Sequence, residues 1–131
     1  MNGEYSEKLP CGGTLKVIGN KWNIEYYFHG FDNRYKGQFC YIEGHRIEEY
    51  ILAWKENFDE YKKLKVSIPK GGEFSTMGKL GMNIRIGSFE GVCLASYHMQ
   101  IKTEGDLTRV INSYLYAKGH APKAMKLLQT L

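Results

Sequence analysis

Cysteine, arginine and long apolar runs are all scarce in this chain of 131 residues, and each shortage excludes something. Three cysteines, Cys11, Cys40 and Cys93, are widely spaced and odd in number, so neither a disulfide framework nor a CxxC pair is written here. They read as reduced thiols, with Cys93 a small hydrophobe on the apolar side of a strand. No run of about 18 apolar residues exists to cross a membrane. Glu4, Glu7 and Lys8 leave the amino terminus without the hydrophobic region of a signal peptide. The expectation is a cytoplasmic protein with no membrane partner.

Motifs for metal and cofactor binding are missing as well. His29, His45, His98 and His120 show no HxH or HxxxH spacing, so no metal site is expected. Residues 72–79 read GEFSTMGK, which has some look of a phosphate-binding loop but fails in three respects. Five residues rather than four separate the glycines, Leu80 stands where a magnesium-binding Ser or Thr is required, and an alternating strand follows instead of a helix. The stretch reads as a mobile connection containing Pro69, Gly71 and Gly72, and no cofactor is expected.

What the chain does contain is a repeated pattern. With 43% apolar and 24% charged residues it has the composition of one soluble domain over residues 1–131. A turn at Gly19-Asn20 pairs Leu15 with Ile24, Val17 with Trp22 and Lys16 with Asn23, apolar against apolar and polar against polar. A second turn at Glu90-Gly91 sets Ile84 against Tyr97, Arg85 against Ser96, Asn83 against His98 and Ser88 against Cys93. Phe39 to Ile42 can extend the sheet.

Each hairpin leads into an amphipathic helix. Ile47, Tyr50, Ile51, Trp54, Phe58 and Tyr61 form the stripe of the first, between Gly44 and Leu64. Leu107, Val110, Ile111 and Tyr114 form that of the second, with Thr103 and Asp106 as a capping pair, Gly119 as its end and Pro122 opening a short last helix. The predicted fold is α+β: an antiparallel sheet of two hairpins, four to five strands in all, with a helix after each hairpin. Pseudo-repeats of ββα type span 14–64 and 80–117.

Charge is uneven along the chain. Residues 1–60 hold seven basic and ten acidic side chains, and residues 61–131 hold eleven and four, a net +7 in the second part. Lys70, Lys79, Arg109, Lys118, Lys123 and Lys126 are the candidate nucleic-acid contacts. With only four arginines in the chain and no recognised DNA- or RNA-binding motif, a solvated lysine face is the plainer reading.

A second candidate set lies on the polar side of the strands. Tyr27, His29, Arg85, Ser96 and His98, with Glu25 and Asn83 beside them, supply a base, a cation and hydroxyls, provided both hairpins share one sheet. A plain solvated sheet face accounts for the same residues. Three functions follow in order: a binding module acting by protein contact or self-association through its ten tyrosines and oppositely charged halves, a nucleic-acid-binding protein, and a small enzyme or ligand sensor.

Overall fold

In a computed structural model, which describes residues 3–27, 38–94 and 99–130, the first hairpin forms where its alternation demands. Strand β2 (Thr14–Ile18) pairs antiparallel with β3 (Lys21–Tyr27), placing Leu15 opposite Ile24 and Val17 opposite Trp22. This is the register read from the sequence, residue for residue. Leu15, Val17 and Ile24 are completely buried, whereas Lys16 between them stays partly exposed. Of the two turn residues only Gly19 has a positive φ, 62°, the conformation a II′ turn takes at its first central position. β1 (Glu4–Lys8) joins the far side of β2 and β4 (Gln38–Glu43) that of β3, giving a four-stranded sheet in the order β1-β2-β3-β4.

A second four-stranded sheet follows, in the order β5 (Phe74–Met77), β6 (Asn83–Ile86), β7 (Gly91–Leu94), β8 (Met99–Ile101). The α+β class therefore holds, with eight strands in two sheets among the described residues rather than four or five in one. The register of the second hairpin differs from the expected one: Asn83 pairs with Cys93, Ile84 with Val92 and Arg85 with Gly91. The cause is the run Val92-Cys93-Leu94-Ala95, which is apolar in both phases and so cannot fix which residues face inward. The loop then decides. It spans residues 87–90, with Gly87 and Phe89 at φ 98° and 54°, and Gly91 already belongs to the strand.

Helix α1 (Ile47–Ser67) buries Ile47, Ile51, Trp54, Phe58 and Tyr61, at alternating steps of four and three, as its pattern requires. Helix α2 (Glu104–Gln129) opens with the expected cap: Asp106 N donates to Thr103 Oγ1 at 3.1 Å, and the Asp106 carboxylate accepts from the Lys102 and Thr103 amides. It does not end at Gly119, and no separate last helix begins at Pro122. Both residues lie exposed within one continuous helix, because Val110, Tyr114, Ala117, Ala121 and Ala124 carry a buried stripe straight past them. Small alanines are a weak apolar signal in a sequence, yet they let a helix lie close on a sheet.

The pairing of helices with sheets is crossed. The expected arrangement lays each helix on the hairpin before it. Instead the described residues form two compact units, one of residues 1–48 and 109–131, the other of residues 49–108. In the first unit most of α2 covers β1–β4. Ser113 Oγ accepts from Cys11 N at 3.2 Å, and the Tyr26 and Tyr114 hydroxyls bond at 2.8 Å. At the rim Tyr5 and Tyr116 both donate to Glu7, which holds the Glu7 carboxyl below its ordinary range and pushes the Tyr5 phenol up to about 12. His120 stacks on Tyr116 with ring centroids 5.1 Å apart. In the second unit α1, which precedes its sheet in the chain, covers β5–β8.

Among the described residues no helix is long and apolar enough to cross a membrane.

Candidate functional site

The outer strands of a sheet carry backbone N–H and C=O groups without partners, and proteins usually guard them with charge, proline or a covering element. β1 is guarded by Glu4, Glu7 and Lys8. β5, Phe-Ser-Thr-Met, is an outer strand with neither charge nor proline. Phe74 is 39% and Met77 65% exposed on it. Beside it lies a cavity of about 670 Å³, lined by Glu56, Asp59, Glu60 and Lys63 of α1 and by Thr76 and Met77 of the strand. An open edge next to a groove is the geometry that accepts an added strand.

The wall of this groove is fixed by one buried amide. Asn57, 3% exposed, donates from Nδ2 to the Lys79 carbonyl at 3.0 Å and to Met82 Sδ at 3.1 Å, and its Oδ1 accepts from Lys79 N at 2.8 Å. A Cβ on residue 78 would stand 2.5 Å from that Oδ1, so only glycine fits there. Gly78 N donates to Met82 O at 2.6 Å, Leu80 and Gly81 take φ of 54° and 73°, and Lys79 Nζ pairs with Glu56. The Gly-Lys step that gave GEFSTMGK its look of a phosphate loop is thus the pivot of a strand-to-strand turn.

A second clasp holds the 87–90 loop to α1. Glu90 Oε2 accepts from Lys65 Nζ and from the Tyr61 hydroxyl, both at 2.7 Å, and its Oε1 accepts from Gly87 N at 3.3 Å. The Lys65 ammonium, then the Tyr61 hydroxyl, hold the Glu90 carboxyl down at about 2. Asn57 escaped the sequence reading. Its signal was a polar residue among Trp54, Phe58 and Tyr61, where helical spacing puts it on the buried side.

The residues singled out from sequence are dispersed. Tyr27 ends β3 and donates to Glu25, a carboxylate only 7% exposed that also lies 3.7 Å from Lys16 Nζ. Lys16 pairs in turn with Glu4 at 3.0 Å, so the polar side of the first sheet is a small charge network. Asn83 and Arg85 are on β6 of the other sheet, so among the described residues Tyr27 and Arg85 do not share one sheet side. His29, Ser96 and His98 lie outside the described residues. Of the basic candidates, Lys70 and Lys79 belong to the 49–108 unit, while Arg109, Lys118, Lys123 and Lys126 are on α2 in the other. Lys79 and Lys118 are already paired, with Glu56 and Glu48.

Cys11, Cys40 and Cys93 form no disulfide, and burial pushes the Cys40 thiol above its usual range. Among the described residues no group of three or more His, Cys, Asp or Glu is placed to hold a metal ion. No protein-family model, no curated protein and no solved structure matches this chain.

Proposed function

We propose that the chain is a small binding module acting by protein contact, with a second copy of itself added along β5. The observation that carries this reading is an outer strand without charge or proline that leaves Phe74 and Met77 in water. Strand addition satisfies the unpaired backbone groups and buries both side chains together. A two-fold contact sets one surface against itself, so it needs groups of both signs, and the groove offers Glu56, Asp59 and Glu60 beside Lys63 and Lys79. Three cysteines without a disulfide suit a reducing compartment, and we assign the chain to the cytoplasm.

Sedimentation equilibrium from about 1 μM to about 500 μM tests this, since a weak strand contact has micromolar affinity. A monomer–dimer equilibrium that persists at high salt is expected, because backbone pairing and apolar burial are weakly screened. Ser75→Lys together with Met77→Lys should give a monomer with an unchanged melting temperature. A strict monomer at every concentration of the unaltered chain rejects the reading. A dimer that dissolves in salt and ignores both lysines moves the contact to the charged halves.

A further inference from the structure

Within the unit of residues 49–108, the backbone groups of β5 alternate between its neighbour β6 and the open edge. Gly78 N donates to Met82 O at 2.6 Å, and Gly78 stands opposite Met82 in the register that pairs Thr76 with Ile84 and Phe74 with Ile86. Antiparallel strands exchange hydrogen bonds at every second pair, so Phe74 and Thr76 direct their backbone groups to β6. The N–H and C=O groups of Ser75 and Met77 therefore point to the open edge. Glu73 continues the series one step before the strand. It lies opposite Gly87, where an added Cβ would stand 3.3 Å from Glu73 Cα, the close approach of a pair that exchanges no hydrogen bond.

Side chains alternate in the same phase. Phe74 and Thr76 lie on the α1 side with their buried partners Ile86 and Ile84, and Thr76 and Ile84 line the cavity of about 670 Å³ with Glu56 and Glu60 of α1. Ser75 and Met77 lie on the other side with Arg85 and Asn83. When β5 pairs antiparallel with β5 of a second copy, only residues 73, 75 and 77 have backbone groups to offer, so odd positions must meet odd positions. Slipping by one residue would set Ser75 against Thr76 and leave the outward groups of both copies unmatched. Two registers remain. With the two-fold axis at Ser75, Ser75 meets its own equivalent and Met77 meets Glu73, so every outward residue is matched. With the axis at Thr76, Ser75 meets Met77, but Glu73 falls opposite Lys79 in the turn and stays unmatched.

Resting on the strand contact proposed above, we infer that the second copy enters antiparallel about a two-fold axis through Ser75, and that Phe74 of each copy closes the cavity of the other. This register sets Phe74 directly opposite Thr76 of the other copy on the α1 side, an aromatic against a β-branched residue. Thr76 lines the cavity, so the ring, 39% exposed in the single chain, lies at the cavity mouth, where the aliphatic stems of Glu60 and Lys63 offer apolar contact. Residues directly opposite share a face, so the two four-stranded sheets become one continuous sheet with both copies of α1 on the same side. A cavity that stands open in one chain is completed by a residue of the other.

The test is cross-linking by position in the whole chain. Ser75→Cys places two thiols on the axis with Cα atoms about 5.5 Å apart, within disulfide reach. Thr76→Cys places them about 8 Å apart, beyond it. Oxidised with copper(II)-phenanthroline at a concentration where the unaltered chain is dimeric, Ser75→Cys should give a covalent dimer and Thr76→Cys should not. The unaltered chain, with its three native cysteines, is the blank. Amide exchange on the unaltered chain supplies a second readout: protection at Ser75 and Met77 should rise with chain concentration, while Thr76, bonded to β6, is protected throughout. Phe74→Ala keeps the backbone pairing and should raise the dimer Kd about tenfold. An unchanged Kd in that variant overturns the cavity closure. A dimer that cross-links through Thr76→Cys overturns the register and leaves the β5 contact standing. A dimer that cross-links through neither, with no concentration-dependent protection at Ser75, moves the contact away from β5, and a strict monomer of the unaltered chain rejects the contact and the register together.

Discussion

The hydroxyls of Tyr26 and Tyr114, 88 positions apart in the chain, meet at 2.8 Å in the interior of the first unit. Tyr26 is 2% exposed and Tyr114 completely buried, and Cys11 Sγ lies 3.7 Å from the Tyr26 oxygen. Burial first, and Tyr114 second, push the Tyr26 phenol well above its usual range, so the Tyr26 hydroxyl stays protonated. Tyr114→Phe leaves the Tyr26 hydroxyl with only a weak sulfur partner and should cost about 1–2 kcal/mol. The double change to phenylalanine should cost less than the two single changes summed, a coupling that urea unfolding of the four variants measures directly.

Removal of the Asn57 amide should be more damaging. Asn57→Ala abandons three hydrogen bonds, takes the acceptor from the Lys79 amide and leaves the Lys79 carbonyl with Met82 N alone, for a loss of about 2–4 kcal/mol. The effect should be local at first. Amide exchange at Gly78, Lys79 and Met82 should accelerate before exchange in β7, and equal acceleration everywhere would contradict the clasp.

Gly119 provides a test by sign. In a continuous helix, at an exposed site where a Cβ meets nothing within 4 Å, Gly119→Ala should stabilise. The gain expected is about 0.5–1 kcal/mol. Were Gly119 the left-handed residue that ends a helix, the same change would destabilise. A thermal melt of the single variant separates the two.

Acid should release the loop clasp. The Glu90 carboxyl, held at about 2 in the folded chain, returns to an ordinary value of about 4.3 when unfolded. Because the folded value is the lower one, its stabilising contribution is complete above about pH 5 and vanishes as the pH falls toward about 2. Lys65 is 54% exposed, so solvent screening limits the contribution to about 1 kcal/mol. Glu90→Gln should therefore be less stable than the parent at pH 7 and equal to it near pH 2, by urea unfolding at both. Glu7, lowered by Tyr5 and Tyr116, shifts stability in the same direction.

How far the sequence could be read depended on how sharply each segment distinguishes its two faces. Thr14 to Glu25 alternates without ambiguity, and its register was legible to the residue. Val92 to Ala95 does not alternate, and its register was not. β1 and β5 were hidden because outer strands can be polar or short, so Glu-Tyr-Ser-Glu-Lys and Phe-Ser-Thr-Met look like loops. The end of α2 was misplaced because Gly119 and Pro122 are strong local signals, whereas Ala117, Ala121 and Ala124 are weak ones that win through packing. Of the groove, Lys79 alone had been marked, and for its charge. Asn57 acts through shape and bonding that only the fold assembles. The crossed helices could not be read at all, since the pattern of a helix says that it is covered and not by what.

That crossing has a consequence for the order in which the molecule can be made. The β1–β4 sheet is complete at Glu43, yet its cover, the stretch from Ser113 to Leu128, follows only after the whole of the second unit has been synthesised. Until then Leu15, Val17 and Ile24 have an open flank, closed only by contacts such as the bond from Tyr116 to Glu7 over 109 positions. Folding of the first unit thereby waits for α2, so a chain cut before α2 should expose the inner face of β1–β4 rather than fold as a working half.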